Sequence, residues 1–262
     1  MRFEDIDYVD TSRSLLGQRV VPPSCVACQN VVRTGDRAGQ RCNEPLDSAA
    51  YHVHRCPRGG GMKARSVVIE RTWECIHQEC GYQVQRQVYV PAWDRFHWRC
   101  PACDAHGAAP EPPAGACSCG VALNVRREEA VLDLEVQSAD SPLLYLDVTV
   151  RHSVPGDAAR LSAAAGADGA VNAEAEQDKR LRYPAGRAPT RVVPLAMETY
   201  GRHGKEALRH LRRLARAQAA RSAAPEDESS TSGLLQRWGE QLSVALHRFN
   251  ARAVRAACGA TP

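Results

Sequence analysis

The stretch Val131–Arg151, VLDLEVQSADSPLLYLDVTVR, decides how this chain is read. It predicts two short strands, Val131–Val136 and Leu143–Val150, joined by the turn-rich link QSADSP. Each strand is mostly apolar with a central aspartate, Asp133 in the first and Asp147 in the second. Glu135 adds an acid on the face of Asp133, because strand side chains alternate. Strands that are apolar on both faces belong inside a covered sheet. A carboxylate held there is costly without a partner or a cation. Two of them on neighbouring strands can share a hard divalent ion such as Mg²⁺, which takes oxygen ligands and needs few from protein. The plainer alternative solvates each aspartate at a strand end.

Outward from this stretch the chain is rich in cysteine. Its 262 residues suffice for one main domain with appendages, and a 44% hydrophobic fraction is that of a globular protein. The N-terminal MRFEDIDYVD has no apolar signal core and no run reaches the length of a membrane span, so an intracellular protein is expected, not a secreted one. Eleven cysteines, an odd number falling mostly in close pairs, then favour zinc over disulfides.

Two four-ligand sets are expected. Cys25 and Cys28 form C-x2-C, and His52 and Cys56 of HVHRC can complete a tetrahedron; His54 competes for the imidazole position and Cys42 can substitute. Cys100, Cys103, Cys117 and Cys119 make a compact second set, an inserted zinc ribbon pinned below a Pro/Ala/Gly loop. Cys75 and Cys80, five apart, read as core or incidental residues rather than metal ligands.

The remaining elements follow from periodicity. Residues 1–24 read as an extended lead-in. A helix is expected over Lys63–Glu79, preceded by a glycine run that permits close approach to a phosphate. Tyr82–Pro91 alternates as a strand, and Val121–Val136 continues the sheet. Pro155–Gly169 reads as a mobile connection, and Asn172–Tyr183 as a helix whose charge order suits its dipole. Lys179 and Tyr183 stand four apart on one face of it. Arg191–Glu198 is a further strand ending in Glu198. Lys205–Arg221 is a helix with Leu208, Leu211, Leu214 and Ala215 inward and Lys205, Arg209, Arg212, Arg213 and Arg216 outward. From Lys179 to Arg221 there are twelve Lys or Arg against two acids, a local excess of +10 that attracts a polyanion. A polar linker over 222–232 leads to an amphipathic helix over Leu234–Ala257.

In this order the parts resemble the C-terminal region of site-specific non-LTR retrotransposon proteins. In that family a CCHC zinc motif precedes a restriction-enzyme-like endonuclease domain. The matching residues are Cys25, Cys28, His52 and Cys56; Asp133 and Asp147 as the paired acids; Lys179 and Tyr183 as K-x3-Y; and RGGGMKARS before the first helix. The resemblance implies an α/β (α+β) fold of the PD-(D/E)XK kind, a sheet flanked by helices. Its parts would be a lead-in at 1–24, a zinc motif at 25–61 and a nuclease domain at 62–221 with the ribbon inserted at 97–120. A linker at 222–232 and a helical extension at 233–262 would follow. It implies Mg²⁺- or Mn²⁺-dependent nicking of DNA and a nuclear or otherwise intracellular setting. Asp133, Asp147, Lys179, Tyr183 and Glu198 would be catalytic, beside two structural zinc ions. Contacts to DNA, or to RNA, would come from Lys63, Arg65, Arg182, Lys205, Arg209, Arg212, Arg213 and Arg216. The alternative is a zinc-dependent nucleic-acid-binding protein of the same fold with an inactive site.

Overall fold

A computed structural model of the chain describes residues 5–33, 35–139, 141–221 and 228–259. In chain order the helices and strands are α1 (Asp5–Leu15), α2 (Tyr51–Arg55), α3 (Gly61–Glu79), β1 (Gln83–Tyr89), β2 (Arg95–Arg99), β3 (His106–Ala109) and β4 (Asn124–Glu128). There follow β5 (Val131–Ser138), β6 (Ser141–Arg151), α4 (Ala158–Gly166), α5 (Ala170–Arg182), β7 (Val192–Glu198), α6 (Lys205–Arg221) and α7 (Glu228–Ala257). The architecture is mixed α+β, with a mixed four-stranded sheet of order β1-β5-β6-β7 and a three-stranded sheet of order β3-β2-β4. No described helix is long and apolar enough to cross a membrane.

The chain divides into two compact units, one of residues 1–81, 148–176 and 194–262, the other of residues 82–147 and 177–193. The boundaries fall within β6, α5 and β7.

The second unit holds residues 131–147 of the opening stretch. β1 pairs antiparallel with β5, and β5 with β6, where Leu134 faces Leu146 and Val136 faces Leu144. Leu132, Leu134 and Val136 are buried on one face of β5, while Asp133 and Glu135 on the other are half-buried. The expected strand over Val121–Val136 is broken at Glu129–Ala130, so that β4 belongs to the smaller sheet and β5 to the larger. Asp94 fixes that break. Burial opposes its charge, yet the Ala130 N–H (2.9 Å), the Tyr89 hydroxyl (2.7 Å) and the Arg127 guanidinium hold its carboxyl below the usual range. Trp93 packs beside it against Tyr145 and Tyr183.

The first unit is mainly helical. Trp73 and Ile76 of α3, Leu211 and Leu214 of α6, and Trp238 and Leu242 of α7 are its large buried side chains. Within it, α3 and α6 are joined by a buried His77 Nε2–His210 Nε2 contact of 2.8 Å. Of the lead-in, Asp5–Leu15 is helical rather than extended, and residues 1–4 lie outside the described residues. Asp7, fully buried, is held by Arg248, Arg252 and Arg255 of α7, and Arg255 also bonds Asp10 at 2.8 Å. These partners lie more than 230 residues away, so local periodicity carries no trace of them. The connection expected to be mobile contains α4, whose first turn is capped by Asp157 accepting from the Arg160 N–H at 2.9 Å. Of the expected linker, residues 222–227 lie outside the described residues, and 228–232 already belong to α7.

Candidate functional site

In the first unit, a hairpin between residues 26 and 46 sets Cys28 opposite Glu44 and Cys42 opposite Asn30, so that the two cysteines are diagonal neighbours. The Cys28 N–H donates to the Glu44 carbonyl (2.9 Å) and the Cys42 N–H to the Asn30 carbonyl (2.7 Å). The short α2 then places His52 and Cys56 against the pair. Cys42 Sγ is 3.4 Å from His52 Nε2 and 3.7 Å from Cys56 Sγ, which is 4.0 Å from Cys28 Sγ. Thiolates about 2.3 Å from a tetrahedral ion stand about 3.7 Å apart, so this set can hold zinc. The fourth ligand is Cys42, where Cys25 is expected from the C-x2-C spacing. Hairpin pairing is the reason. Cys25 lies outside the group, its thiol 4.0 Å from the Ala27 carbonyl and beside Cys258. Burial lowers the pKa of His52 and keeps it in the neutral, metal-binding form.

In the second unit, Cys100, Cys103, Cys117 and Cys119 converge as the spacing predicts, with Cys100–Cys119 at 3.5 Å and Cys103–Cys117 at 3.4 Å between sulfurs. Two tight turns build the set. The Cys100 N–H bonds the Ala105 carbonyl at 2.7 Å, and the Cys117 N–H bonds the Val121 carbonyl at 2.9 Å. The Cys119 N–H draws the Cys117 thiol down to about 6, favouring thiolate. Both cysteine sets can hold structural zinc, all four ligands of each being protein side chains.

The acidic pair lies in the same unit. Asp133 of β5 and Asp147 of β6 both act electrostatically on Tyr183, which places them in one neighbourhood. Asp147 is 4% exposed. Its Oδ1 receives Lys179 Nζ from α5 at 2.9 Å, while its Oδ2 is buried with no hydrogen-bond partner among the described residues. Tyr183 follows one turn after Lys179, with the Lys179 ammonium 6.0 Å from its ring centroid. Burial, then the charges of Asp147 and Asp133, push its phenol above the usual value, so it stays a hydrogen-bond donor. Asp133, Asp147, Lys179 and Tyr183 therefore share one locale. Gln87 joins them unforeseen. It holds a left-handed φ of 52° between the paired residues Arg86 and Val88, and its Nε2 donates to Asp133 Oδ1 at 3.4 Å. Strain of this kind is invisible to a period-2 pattern. Glu198 ends β7 in the first unit, where its charge acts on Arg202.

The expected nucleic-acid contacts divide into two groups. Lys205, Arg209, Arg212, Arg213 and Arg216 are exposed on α6 and, with Leu208, line a groove of about 620 Å³. Among the described residues, Arg209 is the one of these paired with an acid, Glu206, at 2.5 Å. Lys63 is exposed at the start of α3. Arg65 departs from the expectation, and Arg182 is engaged within the second unit. Arg65 is 3% exposed and donates to the His54 carbonyl at 3.1 Å, since it falls on the inner face of α3. Arg182 lies over the Tyr183 ring and bonds the Trp93 carbonyl and Glu128, which ties its guanidinium to the protein through two of its five N–H donors.

No protein-family model matches the chain, and none of the curated proteins matches it.

Proposed function

We propose that the chain is a divalent-metal-dependent DNA endonuclease of the PD-(D/E)XK type, related to retrotransposon nucleases, that nicks one strand. The observation that carries this reading is the Asp147 carboxylate, buried, with one oxygen on Lys179 and the other without a partner. An unpaired carboxylate oxygen in a dry site is a cost that a hard cation relieves. Asp147 and Asp133 are the residues that would hold Mg²⁺ or Mn²⁺. Such an ion supplies Lewis-acid polarisation of a phosphate and a bound water of lowered pKa. The protein's own groups supply the rest. Lys179 keeps two further N–H donors for a phosphate oxygen or for orienting a water. Tyr183, held neutral, donates to a second phosphate oxygen. Gln87 fixes the rotamer of Asp133. The α6 face attracts the phosphate backbone without reading bases.

The test is nicking of supercoiled plasmid with Mg²⁺ by the wild type and by Asp147→Asn. Nicking by the wild type alone is expected, and equal activity in both would refute the assignment. The Lys179–Asp147 pair also supports a second reading, in which it is a structural ion pair of a zinc-scaffolded nucleic-acid-binding protein. DNA binding with no Mg²⁺-dependent nicking would leave that reading in its place.

A further inference from the structure

The first unit contains a cavity of about 280 Å³ that neither zinc set nor the acidic pair explains. Among its lining residues are His54, Arg55, Arg65, Arg151, His152 and Arg160. Two acids, Asp157 and Glu174, also line it. Glu174 pairs with Arg160 at 2.7 Å and with Arg151 at 3.8 Å, leaving Arg55 and Arg65 without acidic partners in the cavity.

Three of these side chains are more than nine-tenths buried yet incompletely bonded. His54 is 3% exposed and neither ring nitrogen has a partner. Arg65 is 3% exposed and its Nε has none. His152 is 8% exposed. Its Nδ1 meets the Thr199 hydroxyl at 2.8 Å, and its Nε2 has no partner. Thr199 Oγ1 also accepts the Ser153 N–H at 3.4 Å and has its own proton to donate to Nδ1, an arrangement that leaves the ring proton on Nε2. A buried guanidinium and unpaired ring N–H groups around one cavity are expensive unless something accepts from them.

The rings are fixed in place. His54 and His152 lie 5.3 Å apart between centroids, with Tyr200 at 6.1 and 5.8 Å from them. Gly156 leaves room for Arg55, since a Cβ there would stand 2.6 Å from its Nη1. A metal is the weaker occupant, because among the described residues no three-ligand group includes His54 or His152.

We infer that this cavity is a binding site for a phosphate group, taken by the Arg65 and Arg55 guanidinium groups and by N–H donors of His54 and His152. The group is a free phosphate ion or the terminal phosphate of a nucleic-acid strand. Two guanidinium groups converging on an oxyanion give charge-assisted hydrogen bonds, about twice as strong as neutral ones. The inference stands independently of the nuclease reading, because none of its residues belongs to the Asp147 locale.

The experiment is calorimetric titration of the zinc-loaded full chain, in Mg²⁺-free buffer, with inorganic phosphate. A 5′-phosphorylated hexanucleotide and its 5′-hydroxyl counterpart are titrated in parallel. Saturable one-site binding of a phosphate probe is expected. Arg65→Gln and His152→Phe should each weaken it at least tenfold. His152→Phe keeps the ring's shape, so the inference remains testable if Arg65→Gln fails to fold. Equal affinity for inorganic phosphate and the phosphorylated strand would assign the free ion. A tenfold preference for the phosphorylated strand over both other probes would assign the strand end. Absence of saturable phosphate binding to the wild type, or affinity within twofold of wild type in a folded variant, would overturn the inference.

Discussion

Lys179 Nζ and Asp147 Oδ1 meet at 2.9 Å, joining α5 to β6, with the lysine side chain 25% and the aspartate side chain 6% exposed. Removing one member of so buried a pair strands the other. Lys179→Met should therefore destabilise the fold by about 3–5 kcal/mol. Combining it with Asp147→Leu should recover most of that loss, because neither charge then remains. Denaturant midpoints across this double-mutant cycle measure the effect. Nicking should be absent from all three variants, so a variant that is stable but retains nicking would contradict the proposed role of the pair.

Metal content gives a second expected outcome. Purified protein should carry two zinc ions per chain. Cys42→Ser and Cys117→Ser should each lose one, whereas Cys25→Ser should keep both, since its sulfur lies outside the set. Chelation should unfold the Cys28–Cys56 segment, where binding and folding are one event. Elemental analysis and circular dichroism before and after chelator check each point.

How far the sequence could be read depended on how local the determining contacts are. The Cys100–Cys119 set was legible because all four ligands fall in two tight turns. The first zinc set was legible in type but misassigned at one ligand. Cys25 and Cys42 differ only in hairpin pairing, which spacing does not encode. The acids were legible because apolar strands make a carboxylate conspicuous, whereas Lys179 stood out only through the K-x3-Y of the resemblance. Three features were not legible: the burial of Arg65, the α1 helix held by Asp7, and the left-handed Gln87. The first two depend on contacts distant in sequence, and the third on a backbone geometry that residue type does not reveal.

His77 sets a pH dependence. Burial lowers its pKa from 6.5 to about 4, with the Trp73 carbonyl at 2.7 Å partly opposing. Below pH 6.5 the unfolded chain takes up this proton and the folded chain does not. Its contribution is complete above 6.5 and is lost as pH falls toward 4, a change of about 3 kcal/mol. Urea midpoints from pH 7 to pH 4 should therefore fall less steeply for His77→Leu than for the wild type. Parallel slopes would show that His77 does not titrate as its burial requires.

The α6 face gives the last prediction. Lys205, Arg209, Arg212, Arg213 and Arg216 project from one helix whose opposite side, Leu211, Leu214 and Ala215, is buried. Their alignment is thus fixed by the core rather than by any partner. Five phosphate contacts release about five counterions, so log affinity for duplex DNA should fall with log salt at a slope of about −4. Arg212→Glu with Arg216→Glu should flatten that slope by about 2 or more and weaken binding similarly for unrelated sequences, because phosphate contacts carry no base information. On duplexes with 5′-hydroxyl ends, which offer no terminal phosphate, Arg65→Gln should leave the slope unchanged, its guanidinium being buried. Fluorescence anisotropy on two unrelated duplexes between 50 and 200 mM salt measures all three. A slope indifferent to the α6 charges would mean that the polyanion, if it binds, binds elsewhere.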